Sequence, residues 1–511
     1  MSDLNSETEL VLGTEHKEFA ASAFCRTMSF RWMMVTFRPH RKLYSTAFLP
    51  PRNRELMSQS YFLRSRTVPT VEKIITRVPP SPIGGILRAA GGVSAMAIAG
   101  QLTLVAAIPV LARLYSPADF GIFTIYLSIV NILGAIAALR FEASLYGVKD
   151  SAQAYVTVKL ILLAVLVTSV LAFGAGLLWA SIAPARVGHL AWLVPLGMGG
   201  AGLVEAMNCW SLRVGLLRDF ALGRLILPVT MALLQLTFGL AHFGGDAMVH
   251  AHILSQFIFI GILGSRILSR KDIGGIARAP WRTVFAVARR EYKFPLFDIP
   301  SALASFAIIN LPAILVGSLF GAAFAGYLGV ASRLVTAPVT LIANPLSNVF
   351  VSEANKTSSR AHLLGTAHGL LMLSAGLTAL PILALGLAAP FIVVPLLGAP
   401  WVPAADIMTA LAFMGATQAL STPLQDVPAL LRRQEVRLLV DGARTALVFG
   451  PLLAGAEAGW EPLKVIYLMA AGGAVGFALK TAASLYLLRH YVEPSGAAIP
   501  KQSHHLEGKT P

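Results

Sequence analysis

Charge is what this chain of 511 residues has least of. Only 13% of it is Asp, Glu, Lys or Arg, while 56% is hydrophobic. Soluble domains carry roughly 25% charged residues, so a water-facing skin for several cores is missing, and a soluble enzyme and a disordered chain are both excluded. Cysteine is nearly absent too. Cys25 and Cys209 are the only two, too few for a disulfide framework, and neither has the neighbours of a metal site. Acids are the scarcer sign, 25 against 41 Lys and Arg. No glycine-rich phosphate loop of the nucleotide-hydrolase type occurs, which argues against direct drive by ATP.

What the chain does have is long apolar runs. From Gly91 onward they recur at roughly 18–24 residues, the length that crosses ~30 Å of hydrocarbon as helix. Twelve are expected, near 91–113, 121–139, 157–180, 190–210, 224–243, 248–267, 300–320, 324–346, 366–390, 404–423, 436–456 and 464–488. Strands of a membrane barrel would be about half as long and would alternate, which these runs do not. The expected fold is an all-α polytopic membrane protein of about 12 transmembrane helices in two six-helix bundles around a central cavity. Its parts are a polar, basic extension at 1–85, a first bundle at 86–270, a linker at 271–298, a second bundle at 299–490 and a tail at 491–511. Met57 offers a second plausible start within the extension, and no signal peptide is expected there.

The basic residues sort by side. Between Arg26 and Arg88 stand twelve Lys or Arg and two acids. Further clusters fall in alternate loops, the largest from Arg270 to Lys293, whereas the opposite loops hold Arg113, Arg186 and Lys464. This asymmetry places the extension, the linker and the tail on the cytoplasmic side of the membrane. It also explains the net charge without a nucleic-acid partner. In the linker, Trp281–Tyr292 has the pattern of a helix lying on an anionic leaflet, and a solvated tether between bundles reads as well.

The halves repeat. Pro109 is followed by Ala118-Asp119-Phe120-Gly121, and Pro312 by Ala323-Phe324-Ala325-Gly326. Arg213 and Arg224 recur as Arg433 and Arg444 with the same spacing of eleven. A parallel duplication is expected, with the cavity between its halves.

Three stretches carry a family resemblance. LARLYSPADFGIFTIYLSIVNILGAIAALRFEASL (Leu111–Leu145) resembles the first hairpin of polysaccharide and O-antigen flippases. RREYKFPLFDIPSALASFAIINLPAILVGSLFGAAFAGYLGVASRLVTAPVTLIANPLSNVF (Arg289–Phe350) resembles their seventh and eighth helices, and LLGAPWVPAA (Leu396–Ala405) their turn before the tenth. The resemblance covers about 85–490. It implies membership in the superfamily of multidrug, oligosaccharidyl-lipid and polysaccharide exporters, with fourteen or twelve helices, alternating access and no enzymatic chemistry. It also implies outward passage of a polyprenyl-pyrophosphate-linked oligosaccharide for O-antigen or exopolysaccharide assembly. The partners implied are that lipid-linked oligosaccharide, membrane lipids and other polysaccharide assembly proteins. No cofactor and no metal are expected.

Ionisable groups inside spans cost ~2.5–3.5 kcal/mol each on insertion scales and usually face a cavity. Arg333 and Lys480 lie deepest. Arg140, Glu142, Asp298 and Lys159 lie nearer the cytoplasmic ends, where long side chains also snorkel. Asn310 could bond a sugar hydroxyl, although packing between helices is the commoner use of such an amide. These seven are the candidates for substrate translocation; Glu205 and Asp406 are further in-span acids, and none is expected to be catalytic. His250 and His252 read as exposed and isolated near the outer end of the sixth span. A cation-coupled drug exporter is the nearest rival reading, and would want acids in its cavity. A polysaccharide polymerase or glycosyltransferase would want a large outer loop.

Overall fold

The computed structural model describes residues 82–148, 150–182, 190–355 and 359–491. Most of the extension, the last twenty residues of the tail, Met57, Cys25 and Arg186 lie outside the described residues. Among those described, all regular structure is helical.

The first half is α1 (Pro82–Leu114), α2 (Pro117–Gly134), α3 (Ser151–Ile182), α4 (Leu190–Val214), α5 (Leu217–Leu240) and α6 (Ala247–Ile267). Two short helices follow, α7 (Arg270–Arg278) and α8 (Trp281–Arg290). The second half holds α9 (Ile299–Phe320), α10 (Ala322–Ala354), α11 (Arg360–Leu397), α12 (Val402–Ser421), α13 (Gln434–Glu457) and α14 (Pro462–Arg489). By length and composition ten helices among the described residues are able to cross a membrane. The two expected spans outside that set form α4 and α12, and their position explains why they are less apolar. Each lies in the middle of its half, where small residues let neighbours approach. In α4 a side chain at Gly197, Gly200 or Gly202 would overlap Tyr126, Gln256 or Ala137. In α12, Gly415 fits against Val335 in the same way.

Local sequence explains where helices start and bend. Ser116 caps α2 reciprocally with Asp119, and Ser269 caps α7 with Asp272; both are capping boxes. Three π turns interrupt the second half's helices, at Phe294–Asp298, Val339–Ala343 and Ala375–Ala379. Each ends two residues before a proline: Pro300, Pro345 and Pro381. A proline offers no N–H to the carbonyl four residues back and crowds it, so the helix widens by one residue there.

The duplication extends to the packing. In the first half α1 packs on α5, α2 and α3 on α4, and α4 and α5 on α6. In the second, α9 packs on α13, α10 and α11 on α12, and α12 and α13 on α14. The linker is no solvated tether. Ala279, Val284 and Val287 are buried against Val156 and Leu160 of α3, and the Tyr155 hydroxyl donates to Asp272 (2.8 Å).

Candidate functional site

The halves meet most closely where α2 crosses α10. Gly121 and Gly326, the residues aligned by the repeat, sit at the crossing. A Cβ on Gly121 would overlap the carbonyl of Ala322, and one on Gly326 the carbonyl of Pro117. Gly329 likewise leaves room for Thr124. Each glycine therefore admits the other half's backbone, the reciprocal contact of a pseudo-twofold axis. Beside the crossing, Trp401 is fully buried and donates from Nε1 to the Ala112 carbonyl (3.0 Å). Its ring meets Phe120 and Tyr327 edge-on, with centroids at 5.0 and 5.9 Å. The Arg113 guanidinium donates to the carbonyls of Pro395 (2.8 Å) and Leu396 (3.3 Å). The two halves are locked together at this end by backbone-directed bonds and interlocked rings.

Deeper, the contact turns polar. Arg333 lies eleven residues into α10, about 16 Å along its axis, half-buried. Its guanidinium stands 5.1 Å from the centre of the Phe123 ring on α2. No carboxylate among the described residues forms an ion pair with it. Phe123 in turn meets Tyr126 and His252. The Tyr126 hydroxyl and His252 Nδ1 share a hydrogen bond (3.3 Å), and the Gln256 amide nitrogen is 3.4 Å from His252 Nε2. His252 is thus buried, at 8% exposure, contrary to the expectation from sequence, because its face of α6 packs on α2 and α4. His250, on the opposite face, is exposed. One helix over, Asn131 of α2 donates to Asn310 Oδ1 of α9 (3.1 Å), and Asn310 donates to the Phe306 carbonyl (2.9 Å). Asn310 therefore bridges the halves, and Asn131, its partner, had no mark in the sequence beyond being an amide in an apolar run.

Arg140, Glu142 and Asp298 come together at the other end of α2. Leu139 and Arg140 both adopt left-handed backbone, φ 51 and 63°, which ends the helical path and turns Arg140 inward. Arg140 Nη1 pairs with Glu142 Oε1 at 3.2 Å, with side chains 5% and 3% exposed. Asp298, buried at the foot of α9, and Glu205 of α4 act on the same carboxyl. Burial pushes Glu142 up to about 7; Arg140 opposes the rise, and Glu205 and Asp298 add to it.

The other two candidates lie elsewhere. Lys480 forms an ion pair with Asp441 of α13 (3.1 Å), which Arg437 also approaches (3.7 Å). Lys159 donates to the carbonyls of Ala277 (3.0 Å) and Ala279 (2.7 Å) at the end of α7 and lies 4.2 Å over the Trp281 ring. Among the described residues no cluster of His, Cys, Asp and Glu suits a metal ion.

Two helical halves that pack alike and meet at a glycine crossing, with ten helices among the described residues able to cross a membrane, define a multi-pass membrane protein. The architecture is shared with a multidrug resistance MATE family transporter of the MOP superfamily in an inward-facing conformation. That match has 13% identity and a TM-score of 0.53, covering 76% of this chain and 95% of the other. It is shared too with the lipid II flippase MurJ in an inward closed conformation, at 11% identity and TM-score 0.57, covering 76% and 90%. A family model described as polysaccharide biosynthesis protein matches residues 110–406, more than half of the chain. The chain belongs to that family, and its fold is the one these solved transporters share. No curated protein matches it.

Proposed function

We propose that this chain is an inner-membrane flippase that moves a polyprenyl-pyrophosphate-linked oligosaccharide outward for O-antigen or exopolysaccharide assembly. It crosses the membrane twelve times with both termini and the linker in the cytoplasm. The locked end, at Pro117 and Trp401, is then the outer one, and the passenger loads from the cytoplasm.

The observation that carries this reading is Arg333. A guanidinium at mid-depth between the halves, resting on an aromatic face and paired with no acid, is expensive to keep in a membrane. It is justified by an anionic passenger, whose pyrophosphate accepts two hydrogen bonds at once from the planar fork. Asn131 and Asn310 supply amide groups one helix away for sugar hydroxyls. A cation exporter of the same superfamily would need a carboxylate where Arg333 stands.

In a strain deleted for this gene, the wild-type chain should restore surface polysaccharide and clear the accumulated lipid-linked intermediate. Arg333→Ala should reach the membrane in normal amount and restore neither, and Arg333→Lys should restore part, having the charge without the fork. Full restoration by Arg333→Ala would overturn the assignment of Arg333. Drug sensitivity of the deletion strain with unchanged polysaccharide would overturn the flippase reading itself.

A further inference from the structure

The helical linker presents a surface away from the contact between the halves. Around α8 successive residues turn by about 100°, which sorts them into sectors. Val284 and Val287, ~60° apart, are buried on α3. Next round the helix come Trp281 and Phe285, ~40° apart and 52% and 62% exposed. Beyond them stand Arg282 and Arg289, ~20° apart and both exposed. An exposed apolar edge beside the docked face, flanked by arginines, is the arrangement of a helix lying at a bilayer boundary.

The neighbouring chain extends this surface. Tyr292, just ahead of the membrane-crossing segment that begins at Phe294, is exposed, as are Leu296 and Phe297 in the first turn of that segment. Seven basic residues lie between Arg270 and Lys293. The two acids among them are engaged, Asp272 by Ser269 and Tyr155 and Glu291 by Arg290, so the outward face is cationic. Because the surface stands at the foot of a membrane span, the polyanion within its reach is the leaflet itself rather than a nucleic acid.

We propose that α7, α8 and the chain to Phe297 form a binding surface for anionic phospholipid, with Trp281 and Phe285 at the hydrocarbon edge and Arg282 and Arg289 on the headgroup phosphates. The hairpin is clamped to α3 through Lys159 and Asp272, and its end carries α9. Lipid held there fixes the junction of the two halves to the plane of the leaflet.

The test uses the full chain with Cys25→Ser, Cys209 being buried, and a nitroxide on Phe285→Cys or on Arg290→Cys. The protein is placed in phosphatidylcholine vesicles with or without about one phosphatidylglycerol in four. In the anionic vesicles the label at 285 should meet oxygen several-fold more often, relative to a water-soluble nickel relaxant, than the label at 290. That ratio should fall in neutral vesicles, and with Arg282→Gln plus Arg289→Gln. It should also fall when salt is raised to about 1 M, which screens charge beyond ~3 Å without any change of sequence. Equal accessibility at 285 and 290 in anionic vesicles would overturn the proposal. So would a buried 285 label indifferent to lipid charge and to salt, which would leave a merely apolar contact. Neither readout depends on transport, so the result is independent of the flippase assignment.

Discussion

Glu142 illustrates how one side chain reports on its surroundings. Its carboxyl titrates at about 7 because water is excluded around it, despite Arg140 at 3.2 Å. The native state therefore holds this proton at pH values where the unfolded chain has released it. The stability it contributes is complete below the ordinary carboxylate value and is lost as pH rises toward 7. Above that, folding must bury the charge, at a cost on the order of 3 kcal/mol. Glu142→Gln mimics the protonated form and should flatten this loss. The thermal midpoint in detergent should fall from pH 5 to pH 8 for the wild-type chain and much less for the variant; identical slopes would contradict the account. Of the site's residues, the sequence showed those that are costly in lipid: Arg333, Arg140, Glu142 and Asp298 all drew notice by charge alone. It did not show that Lys159 and Lys480 would find partners on neighbouring helices, or that His252 would be buried. Those outcomes depend on which helices pack together, and a hydropathy run says nothing about which of its faces is covered.

Helices in this chain are set by hydropathy, while their interruptions are set by proline. The apolar runs therefore predicted the helices well, and the π turns ahead of Pro300, Pro345 and Pro381 less so. Predicted lengths erred most where a span continues past the apolar run, as in Arg360–Leu397. The crossing of α2 on α10 was visible only as two glycines in an aligned repeat, because a close approach needs knowledge of both partners. Its function can be tested directly. If alternating access parts the halves at this end, a disulfide between Thr124→Cys and Gly329→Cys, in a Cys25→Ser background, should form under mild oxidation. It should then arrest polysaccharide export until it is reduced. Export by a fully cross-linked population would mean that this crossing stays closed throughout transport.

The duplication is the property that only the whole molecule displays. Helix by helix the two halves pack alike, but α9 also lies against α2, linked to it by the Asn131–Asn310 bond. The repeat was readable in its glycines, since Gly121 and Gly326 meet at the crossing, but not in its arginines, since Arg213 lies in the last turn of α4 whereas Arg433 stands at the start of α13. A parallel repeat has a topological consequence. Each half has an even number of crossings in the proposed topology, so both begin and end on one side, and the extension, the linker and the tail must share it. Pro280, exposed between α7 and α8, and Gly244, in the turn between α5 and α6 with φ 94°, should then lie on opposite faces. With Cys25→Ser, a membrane-impermeant maleimide added to intact cells should label Gly244→Cys and spare Pro280→Cys, and opening the cells should expose the second. Labelling of Pro280→Cys from outside would invert the molecule. The locked end at Trp401 would then face the cytoplasm, and the passenger would have to load from the side where no lipid-linked precursor is made.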